Sequence, residues 1–135
     1  MVKIRLRRKG RRHYPVYDIV AVTERARRDG SFLERLGYYN PNNHPNTIVL
    51  DHEKALYWLN VGAQPTPTVL NLLSYEGVLL RKHLTIKGKS AEEIEEAVTK
   101  HKEVVTKRYD RRKVLRTKRK EAKAKAEADA KAAQA

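Results

Sequence analysis

The six residues after the initiator alternate. Val2, Ile4 and Leu6 are apolar, and Lys3, Arg5 and Arg7 between them are cationic. A period of two places the sets on opposite faces of an extended strand, a separation that a helix cannot make. Such a strand needs a core on one side and an outlet for three closely spaced positive charges on the other. Gly10 permits a turn after it, with Arg11, Arg12 and His13 on or beside that turn. Residues 14–22 are rich in β-branched side chains (Val16, Ile19, Val20, Val22) and predict a second strand, paired with the first as a hairpin. Pro15 puts the start of that strand at an edge or entry, because proline donates nothing to the ladder.

Residues 23–31 predict a polar loop carrying Arg25, Arg27 and Arg28, with Asp29-Gly30 as its turn and Gly30 at positive φ. Residues 32–36 predict a third strand, closed by Gly37 at a bend or close approach. The dense turn formers of residues 40–46 predict an exposed loop, and residues 47–50 a short fourth strand. Asp51 suits an N-cap for a helix over 52–61, striped by Ala55, Leu56 and Leu59 and ended by Gly62. Thr66-Pro67 opens a second helix that buries Val69, Leu70, Leu72 and Leu73 and stops at Gly77. Residues 78–80 close the core before Arg81-Lys82-His83, so a chain cut after Lys82 is expected to fold. Residues 85–89 suggest a linker. Ser90-Ala91-Glu92-Glu93 matches a capping box and starts a new helix, with Ile94, Ala97, Val98, His101 and Val105 as a thin stripe. Residues 121–135 are Ala/Lys/Glu-rich with no face to bury, so alone they should be only partly helical.

Charge is segregated along this plan. Residues 1–28 hold ten basic and two acidic residues, residues 29–80 two and five, and residues 81–135 eighteen and nine. The total of +14 predicts an anionic polymer as partner. Both flanks are adhesive and the middle is core. Such a surplus also attracts anionic membranes, but that reading is the weaker one and no membrane partner is expected, because no apolar run nears the roughly 18–20 residues that span a bilayer. The start lacks the apolar stretch of a signal peptide. It has the arginines of an organellar transit peptide, but its strand alternation argues against one.

Chemistry-bearing patterns are missing. No cysteine is present, so disulfides, thiolate metal sites and Cys nucleophiles are excluded. The five histidines fall in separate elements with no His-x-x-x-His pair, and no metal or cofactor is expected. No phosphate-cradling glycine loop or serine elbow occurs, and no small-molecule substrate is implied. Binding without catalysis is the economical expectation. Among the aromatics, Tyr14, Tyr17, Tyr38 and Tyr39 can either stack on bases or pack their rings while donating hydroxyl hydrogen bonds. Adjacent Tyr38 and Tyr39 face opposite ways in a strand, so one suits the core and the other is available to RNA. Trp58, in mid-helix, suits the core.

Several segments together resemble the bacterial small-subunit ribosomal protein sixteen family. They are Met1-Val2-Lys3-Ile4-Arg5-Leu6-Arg7-Arg8-Lys9-Gly10 with Pro15, Tyr17, Ile19 and Val20; Arg28-Asp29-Gly30; Gly37-Tyr38-Tyr39-Asn40-Pro41; residues 54–65; and Thr68, Val69, Leu72 and Leu73. Order and spacing match over residues 1–82. The resemblance implies an α+β fold: a small four- to five-stranded, mostly antiparallel sheet with two short helices on it. A helical basic C-terminal tail follows, so the domains are 1–84 and a basic extension, 85–135. It implies a structural, non-enzymatic protein that binds and stabilises small-subunit ribosomal RNA. Neighbouring small-subunit ribosomal proteins would be its other partners; it would be cytoplasmic and not a homo-oligomer. The RNA contacts expected on this basis are Lys3, Arg5, Arg7, Arg8, Lys9, Arg11, Arg12, His13 and Tyr14 of the hairpin. Arg25 and Arg28 of the loop join them on the same basis. Arg27, Tyr38, Arg81 and Lys82 are expected contacts from their own charge or ring, as are Arg108, Arg111, Arg112 and Lys113 of the tail. Nothing in the family explains the tail, which reads as a lineage-specific extension. Asp18, Thr23 and Arg27 depart from the family's usual residues. The alternative is a free-standing nucleic-acid-processing enzyme or regulator with a basic docking tail.

Overall fold

The alternation at the start of the chain builds one half of a long hairpin. In the computed structural model, which describes residues 1–132, β1 (Val2–Arg11) and β2 (Tyr14–Thr23) pair antiparallel, from Val2 opposite Thr23 to Arg11 opposite Tyr14. β3 (Glu34–Asn40) adds to β2 and β4 (Thr47–Leu50) to β3, both antiparallel. The two-residue β5 (Gln64–Pro65) runs parallel to β1, so the mixed sheet has the order β4-β3-β2-β1-β5. Pro15 lies beyond the stretch of β2 that pairs with β3, where its missing N–H costs nothing.

Three short helices, α1 (His52–Asn60), α2 (Pro67–Tyr75) and α3 (Val78–Ile86), bring Ala55, Leu59, Val69, Leu72, Leu73 and Val78 against Ile4, Ile19 and Leu36. Val2, Leu6, Tyr39 and Trp58 pack around this cluster. Each fully buried aliphatic side chain contributes about 1.5–3 kcal/mol, so the fold is held here and not by surface charge. The Asp51 carboxylate accepts from the Lys54 N–H at 3.2 Å and caps α1. Gly62, at φ +94°, ends that helix and lets the Ala63 N–H reach the Trp58 carbonyl at 2.9 Å. Thr66 has the extended backbone of an N-cap but makes no side-chain capping bond, leaving Pro67 to set the start of α2.

The last helix, α4 (Ala91–Ala132), is continuous. Ser90 Oγ accepts from the Glu93 N–H at 3.4 Å, and no glycine or proline follows Gly88 to break the run of helix formers. The chain divides into two compact units, residues 1–98 and 99–135. The first runs past residue 84 because Ile94 and Val98 are both buried.

Several sequence expectations are corrected. The hairpin turns at Arg12 and His13, with His13 at φ +66°, while Gly10 sits within β1 opposite Pro15 at φ +95°. The third strand spans 34–40, not 32–36. Phe32 and Leu33 are exposed in the preceding loop, and Gly37 lies in mid-strand. A Cβ at Gly37 would sit 2.0 Å from the Val49 carbonyl oxygen, so the expected close approach is present, within the strand. Next to it the β2–β3 register shifts, with Ile19 opposite Gly37 and Val20 opposite Arg35, which leaves Leu36 as the extra residue of a bulge. Gly30 is not at positive φ, and a Cβ there would make only ordinary contacts. Residues 78–86 form a helix where a core-closing segment and the start of a linker were expected; Gly77, at φ +79°, separates it from α2. The basic tail is helical, as its sequence implies, as far as residue 132, and residues 133–135 lie outside the described residues.

Candidate nucleic-acid interface

Hairpin register decides which cations face where. Val2, Ile4 and Leu6 share the helix-covered face of β1, while Lys3, Arg5 and Arg7 lie on the other face, opposite Val22, Val20 and Asp18 of β2. All three of these cations are only half-exposed. Lys3 Nζ lies 2.8 Å from the Glu24 carboxylate, and that hydrogen bond and charge hold the Glu24 carboxyl below the usual carboxylate range. Arg5 donates an Nη2–H to the Arg27 carbonyl, and its Nε is buried without a hydrogen-bond partner. The Arg7 guanidinium carbon stands 5.2 Å from the centre of the Phe32 ring, a cation–π distance. Within the loop the Ala26 N–H bonds the Thr23 carbonyl and the Gly30 N–H the Arg27 carbonyl.

Cations that are more exposed lie elsewhere on the same hairpin and its loop. Arg8, Lys9, Arg11, Arg12 and His13 surround the turn, with Tyr14 half out of the surface beside them. Arg25, Arg27 and Arg28 project from the loop; Arg28 has only an exposed ion pair with Asp29 at 3.3 Å. Hairpin and loop thus form one basic stretch, with the turn at one end and the loop folded back toward the other.

Tyr38 and Tyr39 do face opposite ways. Tyr39 packs on the core, where burial raises its hydroxyl pKa despite the bond from Asn46 Nδ2. Tyr38 pairs with Asp18 across β2–β3 and lines a shallow cleft with Lys9, Val16, Asp18 and Arg35. Asp18 is buried and ion-paired with Arg35 at 3.0 Å. Arg35 was missed because a lone arginine in a strand acquires this role only through register. Arg81 and Lys82 fall on α3, which packs on the opposite face of the sheet from Lys3, Arg5 and Arg7. Lys82 Nζ bonds the Leu59 carbonyl at 2.7 Å, a cation at the negative end of α1. In the second unit Arg108, Arg111, Arg112 and Lys113 are all exposed on α4. Among the described residues no helix is long and apolar enough to cross a membrane, and no cluster of three His, Asp or Glu could hold a metal ion.

Comparison with known proteins adds to this geometry. The family model of ribosomal protein S16 matches residues 8–66. The small ribosomal subunit protein bS16 of Chlorobium phaeobacteroides (strain BS1) is 46% identical over 129 residues, covering 96% of each chain. That of Prosthecochloris aestuarii is 47% identical over 130 residues, again 96% of each. That of Azobacteroides pseudotrichonymphae is 61% identical over 82 residues, which is 61% of this chain and 50% of the relative. At 96% coverage an alignment must run through most of residues 85–135, so these two relatives have a segment that aligns with the extension.

Proposed function

The chain belongs to the ribosomal protein S16 family, and from that premise we propose that it is a structural constituent of the small ribosomal subunit. On this reading it binds small-subunit ribosomal RNA, lies beside other proteins of the subunit, and works in the cytoplasm without catalysing a reaction. The observation that carries the reading is the single basic stretch of hairpin and loop, mounted on a sheet whose other face is packed by helices. Exposed guanidinium and ammonium groups neutralise phosphates and release counterions, which supplies affinity. The fixed spacing of those groups along a rigid hairpin selects an RNA shape, since phosphate contacts carry no base information themselves.

Arg8, Lys9, Arg11, Arg12, Arg25, Arg27 and Arg28 are the proposed phosphate ligands of the first unit, with His13 and Tyr14 beside them and Tyr38 at the cleft. Arg81 and exposed cations of α4, Arg108, Arg111, Arg112 and Lys113 among them, reach other RNA or neighbouring proteins. Cofractionation tests this. Tagged chain should sediment with small subunits at one copy each and remain through washing at moderate salt. Recovery only in ribosome-free fractions would overturn the reading and favour a free-standing nucleic-acid-processing protein.

A further inference from the structure

We propose that Lys3, Arg5 and Arg7 are positioning residues, which act on RNA by holding the loop of residues 24–33 in place and not by gripping phosphates themselves. The inference rests on the RNA-binding reading above and assigns roles within it. Three alternate positions of one strand meet three successive points of the loop: Glu24 at its start, Arg27 in its middle and Phe32 near its end. The contacts differ in kind: an ion pair, a hydrogen bond to a peptide carbonyl, and a cation over a ring.

Arg5 shows the division of labour most clearly. Its guanidinium donates to the Arg27 carbonyl and its Nε is buried, so it is aimed into the loop. With Nε turned away from solvent and one Nη2–H held by Arg27, the side chain cannot present its full donor fork to a phosphate. The side chains of Arg25, Arg27 and Arg28, by contrast, are exposed. A tethered loop presents these three cations already ordered, so RNA does not have to order them at the moment of binding. The strand's charge alternation thus serves the loop, and the loop serves the RNA.

A double-mutant cycle separates positioning from direct contact. Binding of full-length small-subunit ribosomal RNA to the full chain is measured by filter retention across a salt series. Arg5→Met is made alone and on a background carrying Arg25→Gln, Arg27→Gln and Arg28→Gln. In the natural loop, Arg5→Met should weaken binding about tenfold and reduce the salt slope by about 2. On the background without loop arginines it should weaken binding less than about twofold. A direct phosphate contact would instead cost the same factor on both backgrounds and reduce the slope by about 0.9. That result overturns the proposal.

Should Arg5→Met disturb folding, Glu24→Gln keeps the question open to test. It removes a negative charge from a basic surface, so simple electrostatics has it tighten RNA binding. Release of the loop has it weaken binding, and tighter or unchanged binding overturns the proposal. If the unaltered chain binds no RNA, the functional reading falls and this inference with it. If it binds and the cycle is additive, only the inference falls.

Discussion

A Cβ at Gly37 would meet the Val49 carbonyl oxygen at 2.0 Å and Leu50 Cα at 2.9 Å, both backbone atoms fixed by the β3–β4 ladder. Neither can rotate away, so Gly37→Ala must push β3 and β4 apart. It should lower stability by about 1–3 kcal/mol or more, whereas Gly30→Ala should stay within about 0.5 kcal/mol. Urea denaturation of the two variants checks this, and equal midpoints would contradict it. Trp58, the one tryptophan of the chain, offers a second test. Its Nε1–H donates to the Glu34 carboxylate at 2.8 Å, and Lys54 pairs with that carboxylate at 3.2 Å. The Trp58 bond first, then Lys54, holds the Glu34 carboxyl below the usual range. A carboxyl with a depressed folded pKa favours folding above its unfolded pKa, and this is lost as pH falls through the folded value. Trp58 fluorescence should therefore titrate with a midpoint below the ordinary glutamate value. Glu34→Gln should abolish that transition, and a midpoint at or above the ordinary value would exclude the bond as its source.

Legibility was best where a periodicity or a cap marks an element. The hairpin, α1 between Asp51 and Gly62, and the start of α2 at Pro67 are all visible in local chemistry. The third strand was misplaced because Phe32 and Leu33 look like strand residues, and only tertiary structure shows them exposed in the loop. Helix α3 was missed for lack of a polar N-cap, since Gly77 marks both the end of α2 and the start of α3. For the candidate site, the basic residue types were legible but not their partners. Nothing local distinguishes Arg5, turned into a loop, from Arg8, turned to solvent. Helix α3 also changes where the chain can be cut. A chain ending at Lys82 would cut α3 in half and lose the buried Ile94 and Val98. Truncation after Val98 should preserve the cooperative melt of the first unit, and truncation after Lys82 should lower it by several degrees or more. Indistinguishable melts would mean that residues 83–98 add nothing to the core.

At the scale of the whole chain, one unit has a core and the other is nearly all surface. Residues 107–125 carry eleven basic and two acidic residues, and Val114 and Leu115 are about half-exposed on α4. With so little buried apolar area, this stretch is helical through local propensity alone, and such helices open readily in water. Counterion release beside RNA is the gain available to it. Its amide protons should exchange rapidly in the free protein and slowly in the assembled subunit. Salt dependence supplies the quantitative form. Seven exposed cations of the hairpin and loop, at about 0.7–0.9 per phosphate, give residues 1–98 a slope of about −5 to −6 if all engage. The full chain should be steeper by about 2 or more if the tail touches even three phosphates. Measuring both slopes on the same ribosomal RNA decides the matter. Equal slopes, together with slow exchange of residues 107–125 in the free chain, would mean that α4 is a packed structural element and not an RNA-binding arm.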